Sequence, residues 1–229
     1  MKLAVIPARG GSKRIPRKNI KSFCGKPTIA WSIEAALQSG CFDAVVVSTD
    51  DAEIAEVARI HGATVPFMRP AELADDHTGT IPVIRHAIEW HQQHGQTPEQ
   101  VCCIYATAPF VRAEDLQEGL RVLEDTGCDY AFSVTSYASP IQRAIRITPQ
   151  GRVEMFYPEY FNTRSQDIEE AFHDAGQFYW GQGRAWLAGK PIFSLDAAPL
   201  ILPRHRVQDI DTPEDWIRAE WMFHAMNQQ

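Results

Sequence analysis

Short apolar runs at residues 3–6, 44–48, 101–105 and 130–134 are separated by segments whose apolar residues recur at helical spacing. That alternation narrows the available folds sharply, because strands alternating with helices pair in parallel and need right-handed crossovers that cover both faces of the sheet. Pro27 stands where a helix would begin, and Ile29, Ile33, Ala36 and Leu37 keep its period until Gly40. Residues 51–60 and 81–91 repeat the pattern. The rhythm breaks at 137–174, where Pro140, Pro149 and Pro158 interrupt short alternating pieces such as "RAIRI" and "RVEMF" that suit hairpin strands. It resumes with the aromatic strand "QFYWG" and closes on "DTPEDWIRAEWMFHAM", whose Trp216, Ala219, Met222 and Phe223 share one helix face. The expectation is a single α/β domain over 1–229 with a β-rich insertion at 137–174, free of repeats and low-complexity tails.

The apolar fraction of 45% is enough for a sizeable core. The five cysteines are odd in number and two are adjacent, which suits neither a disulfide framework nor a zinc C-x-x-C pair, so they read as reduced core residues. No apolar run reaches the roughly 18 residues of a membrane span, and Pro7 and Arg9 interrupt the first strand, so a cytoplasmic location with no membrane partner is expected. The net charge of -7 argues against a nucleic-acid partner.

Against that acidic balance, the loop leaving the first strand, "PARGGSKRIPRKN", carries Arg9, Lys13, Arg14, Arg17 and Lys18. Parallel sheets bind ligands at the carboxyl ends of their strands, where this loop emerges. Gly10 and Gly11 are expected to take positive φ and turn their N–H groups toward an anion, with the Ser12 hydroxyl as a further donor. The patterns G-x-x-x-x-G-K-[ST] and G-x-G-x-x-G are both absent. A basic heptamer alone is more often a solvated charge run, but two glycines, a serine and a buried strand directly upstream favour a phosphate cradle.

Near the other end, "QDIDTPEDW" sets Asp209 and Asp211 two residues apart, so both carboxylates leave one side of an extended segment. That arrangement suits Mg²⁺, which takes one or two carboxylates together with phosphate oxygens and water. Asp211 has a competing role as the cap of the final helix, for which Thr212 is the other candidate. Asp50 and Asp51 form a second acidic pair, read as a helix start. Of the eight histidines, only His173, followed by Asp174, pairs with a neighbour near these motifs.

The ordered stretches "IPARGGSKRIPRKNI", "GKP", "VVVSTDDAEIAEVA", "RPAELADDHTGT" and "VQDIDTPEDW" resemble the CMP-sugar synthetases that activate nonulosonic acids such as sialic acid, over nearly the whole chain. "CCIYATAPF", "PEYFNTRSQD" and "HDAGQFYWG" are most similar to the branch that acts on pseudaminic acid. The resemblance implies a three-layer, mainly parallel nucleotide-diphospho-sugar transferase fold, Rossmann-like, in which a β-rich insertion forms a homodimer. It implies transfer of CMP from CTP to a sugar's anomeric hydroxyl, with Mg²⁺ and release of pyrophosphate. By position, Ala8, Arg9, Gly10, Gly11, Ser12, Lys13, Lys18, Asn19, Arg69, Thr78 and Thr80 fall on nucleotide contacts. For the two threonines, capping of the following helix is the competing role. Arg9 and Lys18 would meet charge on the leaving pyrophosphate, and Asp209 and Asp211 would hold the metal. Tyr105, Gln142, Arg143, Arg164, Gln166, His173 and Asp174 fall on or near the sugar, with Arg143 and Arg164 acting across the dimer. Sialic acid synthetases carry a glutamine within "LQPTSPLR" where this chain has Tyr105, and "RPNG" where it has His173, Asp174, Ala175 and Gly176; a changed sugar is the simplest reading. CMP-sialic, CMP-legionaminic or CMP-Kdo synthesis, a metal-dependent glycosyltransferase and a regulatory CTP-binding module remain as alternatives, and no residue is assigned as general base.

Overall fold

A computed structural model describes residues 1–227. Along the chain run β1 (Lys2–Pro7), β2 (Ser22–Phe23), β3 (Lys26–Pro27), α1 (Thr28–Ser39), β4 (Ala44–Ser48), α2 (Ala52–Ile60), α3 (Thr80–Gln93), β5 (Gln100–Ile104) and α4 (Ala113–Thr126). There follow β6 (Tyr130–Ser136), β7 (Ile145–Ile147), β8 (Val153–Met155), β9 (Phe172–Gln182), α5 (Gly183–Ala188), β10 (Ala197–Ile201) and α6 (Pro213–Met226). The six-stranded sheet has the order β10-β6-β9-β5-β1-β4, parallel throughout except for β9, which is antiparallel to both neighbours.

Strand alternation sends successive side chains to opposite faces and so builds two cores. Ala4 and Ile6 of β1 and Phe178 and Trp180 of β9 pack with Ile29, Ile54 and Leu116 from α1, α2 and α4. Leu3, Val5 and Tyr179 pack with Ile84, Ile88 and Trp186 from α3 and α5 on the other side. The expected three-layer α/β arrangement is present, and each fully buried Leu or Ile in it contributes roughly 1.5–3 kcal/mol.

A third, aromatic cluster decides where the two chain ends meet. Phe23, from the turn after the basic loop, packs edge-on against Trp216 and Phe223 of α6 at 5.4 and 5.5 Å. Ile210 is completely buried in the same cluster, and its burial turns the flanking Asp209 and Asp211 outward. Thr212 caps α6 in a capping box with Asp215, Pro213 occupies the first turn, and Asp211 is therefore free of the capping role. Asp51 caps α2 through the N–H groups of Glu53 and Ile54, as expected.

The interrupted region leaves the sheet after Ser136 and forms an arm whose hairpin pairs Ile145 with Met155 and Ile147 with Val153. It ends earlier than 174, because Phe172, His173 and Asp174 already pair with Ser136, Thr135 and Val134 of β6. His173 and Asp174 are thus residues of the central sheet. Cys102 and Cys103 are buried as expected, whereas Cys24, Cys41 and Cys128 are only half-buried; all five are free. Among the described residues no helix is long and apolar enough to cross a membrane.

Candidate active site

β1 lies between β5 and β4 and delivers the basic loop to the carboxyl edge of the parallel strands. Ala8 is buried there, its N–H donating to the Ser48 carbonyl at 2.9 Å. The expected glycine geometry is not found, since neither Gly10 nor Gly11 has positive φ; the left-handed residue in this loop is Arg17. Gly10 is required for space instead: a Cβ would stand 2.7 Å from Asp51 Oδ2. Its N–H donates to Asp50 Oδ1 at 2.9 Å, so that donor is already engaged. The Ser12 hydroxyl likewise donates within the loop, to the Ile15 carbonyl at 2.7 Å. Asn19 is buried and donates to the Arg9 carbonyl at 2.9 Å, which ties the two ends of the loop together.

The cations divide into two groups. Arg17 belongs to the framework, paired with Asp51 and Glu53, and its guanidinium holds the Asp51 carboxyl below the usual carboxylate range. Arg9, Lys13, Arg14 and Lys18 face a cleft of about 420 Å³ that Ser12, Asn19, Arg69, Thr78, Thr80, Tyr105 and Asp211 also line. Lys18 Nζ donates to the Ile210 carbonyl at 2.7 Å and lies 3.4 Å from Asp211 Oδ1, and Arg14 pairs with Asp211 at 2.9 Å. Four cations gathered on one cleft, with Asp76 and Asp211 as their counter-ions, suit a polyanion.

Arg69 is buried on the cleft wall, where desolvation pushes its pKa down, and it spends its donors on Ser48 and the Leu73 carbonyl. Thr78 bonds Asp75 Oδ1 through its hydroxyl at 2.7 Å, and Thr80 Oγ1 lies 3.4 Å from the Tyr105 hydroxyl. Neither threonine caps α3; Gly79 does, without a side-chain bond, so the positive end of α3 opens onto the cleft.

Asp211 also stands on a second cleft of about 990 Å³, with Asp209, His173, Asp174, Arg204 and Arg218. The protein packed around Asp209 strips part of its hydration, and the charge of Asp211 adds repulsion, so its carboxyl titrates above the ordinary range despite remaining open to the cleft. Lys18 offsets this only in part. Among the described residues no cluster of three or more His, Cys, Asp or Glu is arranged for a metal. A cation at this pair would draw its remaining ligands from substrate and water, which fits Mg²⁺. Asp174 accepts the Gly176 N–H at 2.8 Å and the buried Tyr179 hydroxyl, and His173 Nδ1 lies 2.8 Å from the Asp174 carbonyl oxygen. Asp174, Tyr105 and Tyr179 also border a smaller, mainly apolar cleft of about 330 Å³.

Seven of the expected residues do not line these clefts within one chain: Ala8, Gly10 and Gly11 stay in the framework of the loop, and the other four lie in the arm. Gln142 donates to the Glu169 carbonyl, Arg143 to those of Phe161 and Thr163, Arg164 pairs with Asp167, and Gln166 is exposed, all in the arm. Sequence reasoning in turn missed Asp76, which meets both Arg9 and Lys13, as well as Tyr179, Arg204 and Arg218 on the neighbouring clefts. The doublet of Asp75 and Asp76 in "ADDHTGT" was visible, but only the turn shows which cations it faces.

Residues 3–157 match the family model described as Cytidylyltransferase. A pseudaminic acid cytidylyltransferase of Campylobacter jejuni is 46% identical over 221 residues, covering 96% of this chain and 95% of that protein. A CMP-N,N'-diacetyllegionaminic acid synthase of Legionella pneumophila is 35% identical over 234 residues, covering 99% and 97%. Among solved structures, a CMP:2-keto-3-deoxy-manno-octonic acid synthetase complexed with CTP superposes with a TM-score of 0.72 over 98% of this chain and 99% of that one. At 17% identity that likeness is one of fold.

Proposed function

The chain belongs to the cytidylyltransferase family, and from that premise we propose that it transfers CMP from CTP to the anomeric hydroxyl of pseudaminic acid, giving CMP-pseudaminic acid and pyrophosphate. The observation that carries the reading is the meeting of the chain ends, with Lys18 of the basic loop against Ile210 and Asp211 of the acidic segment. One wall of the cleft then suits a triphosphate and the adjoining wall its counter-cation. The choice of sugar rests on the Campylobacter jejuni relative.

In the reaction the anomeric oxygen forms a bond to the α-phosphorus as the bond from that phosphorus to the bridging oxygen of the leaving pyrophosphate breaks, and the proton of the anomeric hydroxyl passes to water in the cleft. Arg9, Lys13 and Lys18 fix the triphosphate, and Arg9 and Lys18 meet the charge that grows on the departing group. Asp209 and Asp211 would hold Mg²⁺, which when bound polarises the attacked phosphate. Asn19 and Arg69 keep the loop and the cleft wall in register. Tyr105, His173 and Asp174 present hydrogen-bonding groups to the sugar from β9 and the end of β5. The reaction consumes CTP, which supports a cytoplasmic location.

The arm exposes Ile147, Val153 and Phe161 at 76%, 72% and 69%, an apolar surface that suits a homodimer. Arg143 and Arg164 would then serve a neighbour's site. Phe161→Glu combined with Val153→Asp should give a monomer by light scattering and lower turnover at least about tenfold, since one missing charged contact to substrate costs that much. A dimer that persists in this variant overturns the arm's role.

The direct test incubates the protein with CTP, Mg²⁺ and, separately, pseudaminic, legionaminic and sialic acids, and measures pyrophosphate. Release with pseudaminic acid alone is expected. Release with legionaminic acid but not pseudaminic acid overturns the sugar, and no release with any of the three overturns the activity.

A further inference from the structure

The reaction gives no work to Asp76, yet this carboxylate meets two of the cations proposed to hold the triphosphate. Its Oδ1 accepts from Arg9 Nη1 at 2.5 Å, and its Oδ2 accepts from Lys13 Nζ. The partners are 67 and 63 residues away in sequence, so the contacts are tertiary. They are also built rather than incidental. The preceding residue, Asp75, closes the turn on itself, its Oδ1 accepting the N–H of His77 at 3.0 Å, the N–H of Thr78 at 2.6 Å and the hydroxyl of Thr78 at 2.7 Å. Arg9 Nη1 adds a bond to the Asp75 carbonyl at 3.0 Å. The turn is thereby fixed with Asp76 directed across the cleft at the basic loop.

We propose that Asp76 is an exchange anion: its carboxylate competes with phosphate oxygens for Arg9 and Lys13, so that it weakens the hold on CTP and eases the departure of pyrophosphate. This rests on the CTP-dependent function proposed above. A fixed negative charge at the mouth of a triphosphate site opposes the ligand twice, by occupying donors and by repelling the phosphates. Its value lies in turnover, because cations arranged to stabilise pyrophosphate as it forms also retain it, and product release limits many enzymes. The two cations, Lys13 before Arg9, hold the Asp76 carboxyl down at about 2, so it stays ionised at every pH at which the protein would work. Release therefore depends on a competing anion or on salt, which screens pairs as open as these.

The test measures direct binding of inorganic pyrophosphate and of CTP by calorimetry, in EDTA so that no metal contributes, to the full chain and to Asp76→Asn and Asp76→Ser. Both variants should bind pyrophosphate and CTP about three- to tenfold more tightly than the parent, with the gain shrinking as salt is raised, in keeping with the strength of exposed ion pairs. In turnover assays pyrophosphate should inhibit them at correspondingly lower concentration, and the KM for CTP should fall. Equal or weaker binding by folded variants overturns the exchange role and makes Asp76 a support for Arg9 and Lys13. A parent protein that binds no CTP overturns the function on which the exchange rests, an outcome read from the parent alone and so distinct from failure of Asp76.

Discussion

Asp209→Asn should lower pyrophosphate release by about a thousandfold or more, the scale expected when charge stabilisation of several kcal/mol is removed from a phosphoryl transfer. The same variant should unfold at a temperature no lower than the parent. Asp209 carries a carboxyl that its surroundings push up, first through lost hydration and then through the charge of Asp211. Neutralising it relieves that repulsion, and among the described residues no hydrogen bond depends on its carboxylate in the way the α6 cap depends on Thr212 and Asp215. Asp211 is a less decisive target because it also anchors Arg14 and Lys18, so its replacement disturbs the basic loop as well as the cation site. Retention of activity within tenfold by Asp209→Asn removes the acidic pair from the mechanism, and a drop in unfolding temperature shows that Asp209 supports the fold.

What the sequence made legible were the features written in local periodicity and capping chemistry. The apolar runs became β1, β4, β5 and β6, Gly40 ends α1 in the left-handed conformation, and "RAIRI" and "RVEMF" pair as a hairpin. The antiparallel placement of β9 between β6 and β5 was not legible, because burial on both faces looks the same whichever way a strand runs. β10 escaped because Pro199 breaks its pattern, which an edge position tolerates. In the site, residue types marked Arg9, Lys18 and the two aspartates, but the use of each group depends on long-range partners. Gly10 was read as a source of backbone freedom and donors, whereas the close approach of Asp51 explains it, and Asp50 takes its N–H. Asp76 has no signature of its own; its meaning comes from the turn that Asp75 and Thr78 close.

Lys18→Ala should reduce turnover by about a hundred- to a thousandfold, the loss seen when one preorganised donor to a developing anion is removed. Its position explains why so large an effect is expected from one flexible side chain. The ammonium is anchored at 2.7 Å on the Ile210 carbonyl and the side chain as a whole is only 19% exposed, so little further ordering is needed when phosphate arrives. It also bears on the acidic pair, lowering the Asp209 carboxyl against the repulsion of Asp211. Removing it should therefore cost stability as well, by about 1–2 kcal/mol, because the Ile210 carbonyl loses a charged donor beside a docked helix. Lys18→Arg separates the two effects. The guanidinium keeps the charge but cannot occupy the ammonium's compact position, so stability should recover further than turnover. Chemical denaturation and steady-state kinetics on both variants read the two quantities independently. Full activity in Lys18→Ala would leave Lys18 as a structural clasp between the chain ends and shift the burden of the leaving group to Arg9 and Lys13.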